Sequence, residues 1–141
     1  MYQMNDVPSG AAAVPGITNR RSPLSVSETV ERLRDAMRVA GATVFAVIDQ
    51  DGAAAEAGQT LRETKLLVFG NPAAGTPLMD AVPLSAMDLP LKIVVWQDDQ
   101  DQVWMTYLSA EWLAARYGLS IELARPLGAP EALARRIATA G

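Results

Sequence analysis

The sequence contains no cysteine and no histidine. The first absence removes disulfides, thiolate nucleophiles and sulfur ligands. The second removes imidazole ligands and every His-based catalytic triad. A metal would have to be a hard cation held by oxygen atoms. Asp49-Gln50-Asp51-Gly52 opens like a calcium loop. It then lacks the Asn or Asp at the fifth position and the Glu that closes the loop, so no metal site and no cofactor is expected. No run approaches the roughly 20 apolar residues of a membrane span. The start, MYQMNDVPSG, has neither the basic nor the apolar region of a secretory leader. A basic excess is missing too: 12 Lys and Arg stand against 16 Asp and Glu, a net charge of -4. Nucleic-acid and polybasic membrane-surface partners are therefore not expected. Together these absences predict a cytoplasmic protein.

What is present is a chain of 141 residues, half of them hydrophobic, the size of one domain. Residues 1–15 read as a flexible tail, broken by Pro8, Gly10 and Pro15. A short strand is expected over Ile17 to Arg21. From Ser25 to Ala40 the apolar residues Val26, Val30, Leu33, Met37 and Ala40 recur at helical spacing. Ser25 and Glu28 match a capping box, and Gly41 marks the stop. Thr43 to Ile48 is apolar on both alternating faces, as in a central strand. An Ala-rich helix capped by Asp51 should follow.

Lys65 to Phe69 and Leu91 to Gln97 are two further apolar strands. The polar run 98–102 is a hairpin turn that returns the chain along Val103 to Leu108. Ser109 caps a helix to Tyr117, ended by Gly118. Ser120 to Pro130 reads as a linker and Glu131 to Thr139 as a last amphipathic helix.

The one stretch with unusual local chemistry is Gly70-Asn71-Pro72-Ala73-Ala74-Gly75-Thr76-Pro77. It follows a strand and opens a helix, with Thr76 as N-cap and Pro77 at the first helical position. Its outline is that of a phosphate loop, but the lysine after the second glycine is absent and Pro72 removes a backbone N–H. Two readings remain open. In one, the turn is purely structural. In the other, the N–H groups of Gly75 to Met79 hold a small anion at a helix N-terminus, aided by Asn71, Thr76 and Lys92.

The motifs ETVERL (28–33), TVFAVID (43–49), LLVFGNPAAGTPLM (66–79), DLPLK (88–92) and WLAARYGL (112–119) resemble those of the domain-of-unknown-function family DUF302. The resemblance spans about residues 16–119. It implies an α+β fold, an α/β sandwich with a curved, mainly antiparallel sheet of four to five strands and helices packed against it. A homodimer is also implied, and no activity. Family members often carry histidine where this chain has Leu24 and Gln50, so any chemistry resting on those imidazoles is not expected here. Gln50 can still hydrogen-bond a ligand.

The sequence thus predicts a domain over 16–119 followed by a linker and helix over 120–141. It is read as non-catalytic, with a small anionic ligand at Asn71, Gly75, Thr76, Lys92 and Gln50. Two alternatives stand beside this. One is an enzyme drawing on Asp49, Lys65, Lys92 or Tyr107, with a lysine as base or nucleophile. The other is an interaction module exposing Trp96, Trp104 or Trp112.

Overall fold

A computed structural model describes residues 7–139. Its centre is a five-stranded antiparallel sheet in the order β1-β5-β4-β3-β2. The strands are β1 (Ile17–Ser22), β2 (Thr43–Asp49), β3 (Thr64–Gly70), β4 (Leu91–Gln97) and β5 (Val103–Leu108). All five fall on the predicted apolar runs, but β2, expected in the middle of the sheet, is an edge strand with no buried residue, because its apolar side chains meet a neighbouring strand on one side only. The chain enters at one edge, crosses on a helix to the other, and meanders back.

That crossing helix is α1 (Val26–Val39). Its start is fixed by Ser25, whose hydroxyl accepts from the Glu28 N–H at 3.1 Å. Its apolar stripe, Val26, Val30, Leu33 and Met37, is buried on the sheet. The last helix, α6 (Ala129–Ala138), lies beside α1 on the same sheet face. Together they cover Leu67, Phe69, Ile93, Val95, Met105 and Tyr107, which alternate along β3, β4 and β5 and form the core. Burial of such side chains contributes about 1.5–3 kcal/mol each relative to exposure.

The opposite face is not covered by helices. Leu66, Val68, Val94 and Trp96 line it, only half-buried, and Ile48 is 41% exposed. A hydrogen-bonded chain crosses three strands here: Trp96 Nε1 donates to Thr106 Oγ1 (2.8 Å), which donates to Asn19 Oδ1 (2.7 Å). At one corner Trp104 is 3% exposed under the Arg21 guanidinium, 5.4 Å from its ring centre.

The expected tail falls partly on residues 1–6, which lie outside the described residues. Beyond them the chain is pinned. Pro8 is buried, and the Ser9 N–H donates to Asp98 Oδ2 at 3.2 Å. The segment read as a linker is helical: α5 (Ile121–Ala124) runs into a 3-10 turn (Arg125–Gly128) and directly into α6. Leu127 and Pro130 are buried there, so apolar anchors order a stretch that proline and glycine had marked as loose.

Two helix starts differ from expectation. The cap of α2 (Gln50–Glu56) is Asp49, which accepts from the Gly52 N–H at 3.0 Å. Asp51 instead accepts from the Thr64 N–H (2.9 Å) and ties α2 to β3. Helix α3 (Pro72–Ala81) begins five residues before the expected Pro77. Asn71 is its cap, accepting from the Ala73 N–H at 3.0 Å, and Pro72 takes the first helical position. Thr76 lies inside the helix and donates to the Pro72 carbonyl at 2.6 Å.

Candidate functional site

The described residues form a half-open cavity of about 550 Å³. This is within the usual range for small-molecule sites, about 300–1,000 Å³. It lies at the Gly70 end of β3. One wall is α3, through Pro72, Ala74, Gly75, Leu78 and Met79. Their spacing is one helix face, and the small residues Ala74 and Gly75 leave the space open. A second wall is α6, through Ala129, Ala132, Leu133 and Arg136, again one face at i, i+3, i+4 and i+7. The floor is Phe69, Leu89 and Leu91.

The remaining wall comes from a β-bulge. The register of β2 on β3 slips between Val44 and Ala46, leaving Phe45 as an extra residue. Bulges re-aim side chains beside sites. Phe45 is 52% exposed and lines the cavity. Its ring borders Gly70, where an added Cβ would sit 3.7 Å from Phe45 Cε2.

The lining is overwhelmingly apolar. Asn71, Thr76 and Arg136 bring the side-chain polarity, and Arg136 brings the charge. No Asp, Glu, Lys or Tyr lines it. Asn71 has its carboxamide oxygen engaged by the Ala73 N–H, so its amide group is what remains to face a ligand.

Three of the five residues expected at a site therefore meet here: Asn71, Gly75 and Thr76. Their expected role changes. Gly75 and Thr76 lie within α3, and the Gly75 N–H is bonded to the Asn71 carbonyl at 2.8 Å. The N–H groups of 75–79 are thus not the start of a helix, and the anion cradle expected there is absent.

Lys92 lies elsewhere. It pairs with Val68 on the open face, is exposed, and donates to the Pro90 carbonyl at 3.2 Å. Strand alternation explains this, since Leu91 and Ile93 face the helices. Gln50 stands beyond the far end of β2, about 17 Å away by strand rise along five residues.

The groups that would serve an enzyme do not converge. Lys65 Nζ is held by Asp49 Oδ1 (2.6 Å) and Asp51 Oδ1 (2.9 Å). The Asp49 hydrogen bond, with that of Asp51, raises its pKa against the effect of burial, which keeps it an ammonium. The pKa of Asp51 is lowered: burial opposes this, but the Thr64 N–H and Lys65 outweigh it. Tyr107 donates to Glu131 Oε1, while Arg20 Nη2 donates to Glu131 Oε2 at 2.7 Å. Burial, then Glu131, pushes the Tyr107 pKa up. This buried cluster anchors α6 on the sheet. Among the described residues no group of three or more acidic side chains could hold a metal ion.

Sequence reasoning missed Arg136. The signal was available in α6, where two alanines, a leucine and an arginine share one face at 129, 132, 133 and 136.

Residues 18–139 match the family described as "Domain of unknown function DUF302". The chain is similar to a crystal structure of an uncharacterized conserved DUF302 protein from Bacillus stearothermophilus. The TM-score is 0.74 at 17% identity, over 89% of this chain and 97% of that one. It is also 38% identical over 106 residues to proteins named fluoride-specific ion channel FluC 1 in Brucella suis biovar 1 and Brucella abortus biovar 1. The match covers 75% of this chain but 42% and 39% of theirs, so the chain spans about two fifths of the length of these relatives. No helix among its described residues is long and apolar enough to cross a membrane.

Proposed function

The chain belongs to the DUF302 family, whose name carries no activity, and from its own geometry we propose a non-catalytic domain that binds a predominantly apolar small molecule. The observation that carries this reading is the cavity of about 550 Å³ between α3, α6 and the Phe45 bulge. Removing apolar ligand surface from water supplies about 25 cal/mol per Å². The wall offers no paired acid and base, and Lys65, Lys92 and Tyr107 are committed elsewhere.

The test is a fluorescence titration of the purified chain with the neutral apolar probe N-phenyl-1-naphthylamine. Saturable one-to-one enhancement is expected. Ala74→Trp combined with Ala132→Trp, which crowd the cavity from α3 and α6, should weaken it at least about tenfold without lowering the melting temperature by more than a few degrees. Enhancement that never saturates, or that the double substitution leaves unchanged, refutes the reading.

The channel activity named for the Brucella proteins is not proposed for this chain. The matched residues are a minority of those proteins, and in this chain they fold around a sheet with a helical layer. A role as an accessory domain to an ion channel is compatible with a binding cavity.

A second reading is favoured by the open sheet face with Leu66, Val68, Val94 and Trp96. We propose that a second copy covers it. Five strands of six or seven residues make a face of about 24 by 22 Å, or roughly 500 Å² per copy before side-chain relief. That is the low end of specific interfaces. Sedimentation should report a dimer that Val94→Lys converts to a folded monomer. A wild-type monomer at every concentration would sink this reading.

A further inference from the structure

We infer that the cavity's ligand is an amphipathic carboxylate, an aliphatic or aromatic body ending in one carboxyl group that the Arg136 guanidinium holds at the rim. The inference rests on the reading of the cavity as a binding site. Charge complementarity carries it. Arg136 is the charged residue of the lining, and no carboxylate stands among the lining residues. Two other arginines on or against α6 are engaged: Arg20 with Glu131 at 2.7 Å, and Arg135 with Glu131 at 3.4 Å. Among the described residues, no ion pair engages Arg136.

The chemistry of the lining sets the head group. Arg136 and the Asn71 amide both present N–H donors, which suit an acceptor-only carboxylate and offer nothing to an ammonium. A guanidinium fork matches a carboxylate in bidentate geometry. A single cation is too little for a polyphosphate, and apolar walls cannot solvate one. Arg136 is exposed, so a carboxylate bound to it keeps water on its outer side. The ion pair thus escapes the desolvation cost of full burial, while the apolar body fills the interior against Phe45, Leu78 and Leu133.

The experiment is isothermal titration of the full chain with decanoate and with decanol at pH 7.5. Decanoate is expected to bind about tenfold more tightly, the scale of a hydrogen-bonded charge pair. Arg136→Gln should erase the preference for decanoate over decanol and preserve the melting temperature. Equal affinities in the wild type, or an Arg136→Gln variant that still prefers decanoate, overturn the inference. If N-phenyl-1-naphthylamine binds and decanoate is not preferred, the head-group assignment alone falls. If neither probe binds, the cavity reading falls with it.

Discussion

Replacing Asp98 with Asn removes a charge and reverses one half of a tightly used acceptor. The carboxylate is 3% exposed. Its Oδ1 accepts from the N–H groups of Gln100 (2.8 Å) and Gln102 (2.9 Å). Its Oδ2 accepts from Trp104 Nε1 (2.8 Å) and the Ser9 N–H (3.2 Å). An asparagine that keeps its oxygen on the two hairpin amides turns its NH2 toward two donors. The Ser9 N–H can turn to water, but Trp104 Nε1 is buried and left unpaired, which costs about 1–3 kcal/mol. The lost charge assistance on the other bonds adds roughly 1 kcal/mol. The expected loss is about 2–4 kcal/mol, read from urea unfolding as a lower midpoint at unchanged slope. In a Trp104→Phe background the same substitution should cost at least about 1 kcal/mol less. A loss below about 1 kcal/mol, or full additivity with Trp104→Phe, would refute the reasoning. There is also an acid signature. Burial alone would raise the Asp98 pKa, but the bonds from Trp104, Gln102, Gln100 and Ser9 outweigh it and lower it from 3.8. A depressed carboxylate contributes stability that is fully present above the unfolded pKa and lost as pH falls through the folded one. The stability of the Asp98→Asn variant should therefore fall less steeply below about pH 4.

Three further outcomes follow from the geometry. Tyr107 has a pKa raised from 10.0 by burial and then by Glu131. Its contribution is complete below pH 10 and is lost above it, so stability should fall from about pH 10 upward. Tyr107→Phe should flatten that limb in urea melts taken between pH 8 and 11. Asn71→Ala should cost about 1 kcal/mol as a lost N-cap, and Thr76→Ala less than half of that; the reverse order in thermal melts would contradict the observed start of α3. Gly16 has φ +84° and a Cβ there would sit 2.6 Å from the Trp112 ring, whereas Gly41 at φ +81° has nothing within 4 Å. Gly41→Ala should cost the left-handed penalty of about 1–2 kcal/mol and Gly16→Ala clearly more, so equal losses in melting temperature would count against the Trp112 contact.

All five strands and the helix that crosses between the sheet's edges were legible because their signals are local. Alternation in Leu91 to Gln97 and the stripe of α1 follow from side-chain direction alone. The start of α3 was not legible, because Asn71-Pro72 and Thr76-Pro77 are equally good openings and the choice lies in packing. Placing Lys92 beside the turn ignored that its neighbours Leu91 and Ile93 already claim the helix-covered face. The stretch 70–77 was singled out as unusual, and six of its eight residues line the cavity, though most of it is helix rather than turn. The cavity itself was invisible, since its walls come from four separated stretches whose apolar residues read as ordinary core. Arg136 lies 65 residues from Asn71, and no local pattern joins them.

The α6 wall has a consequence for how the domain is made. Synthesis runs from the first residue onward, and the sheet is complete in sequence at Leu108. Helix α6 does not begin until Ala129. Until α6 has left the ribosome, Arg20 and Tyr107 wait without Glu131, and the cavity has no second wall. A ligand therefore cannot template the early sheet. A ligand of the cavity could engage only once α6 has docked, so binding would favour the docked state of that helix and guard it against proteolysis.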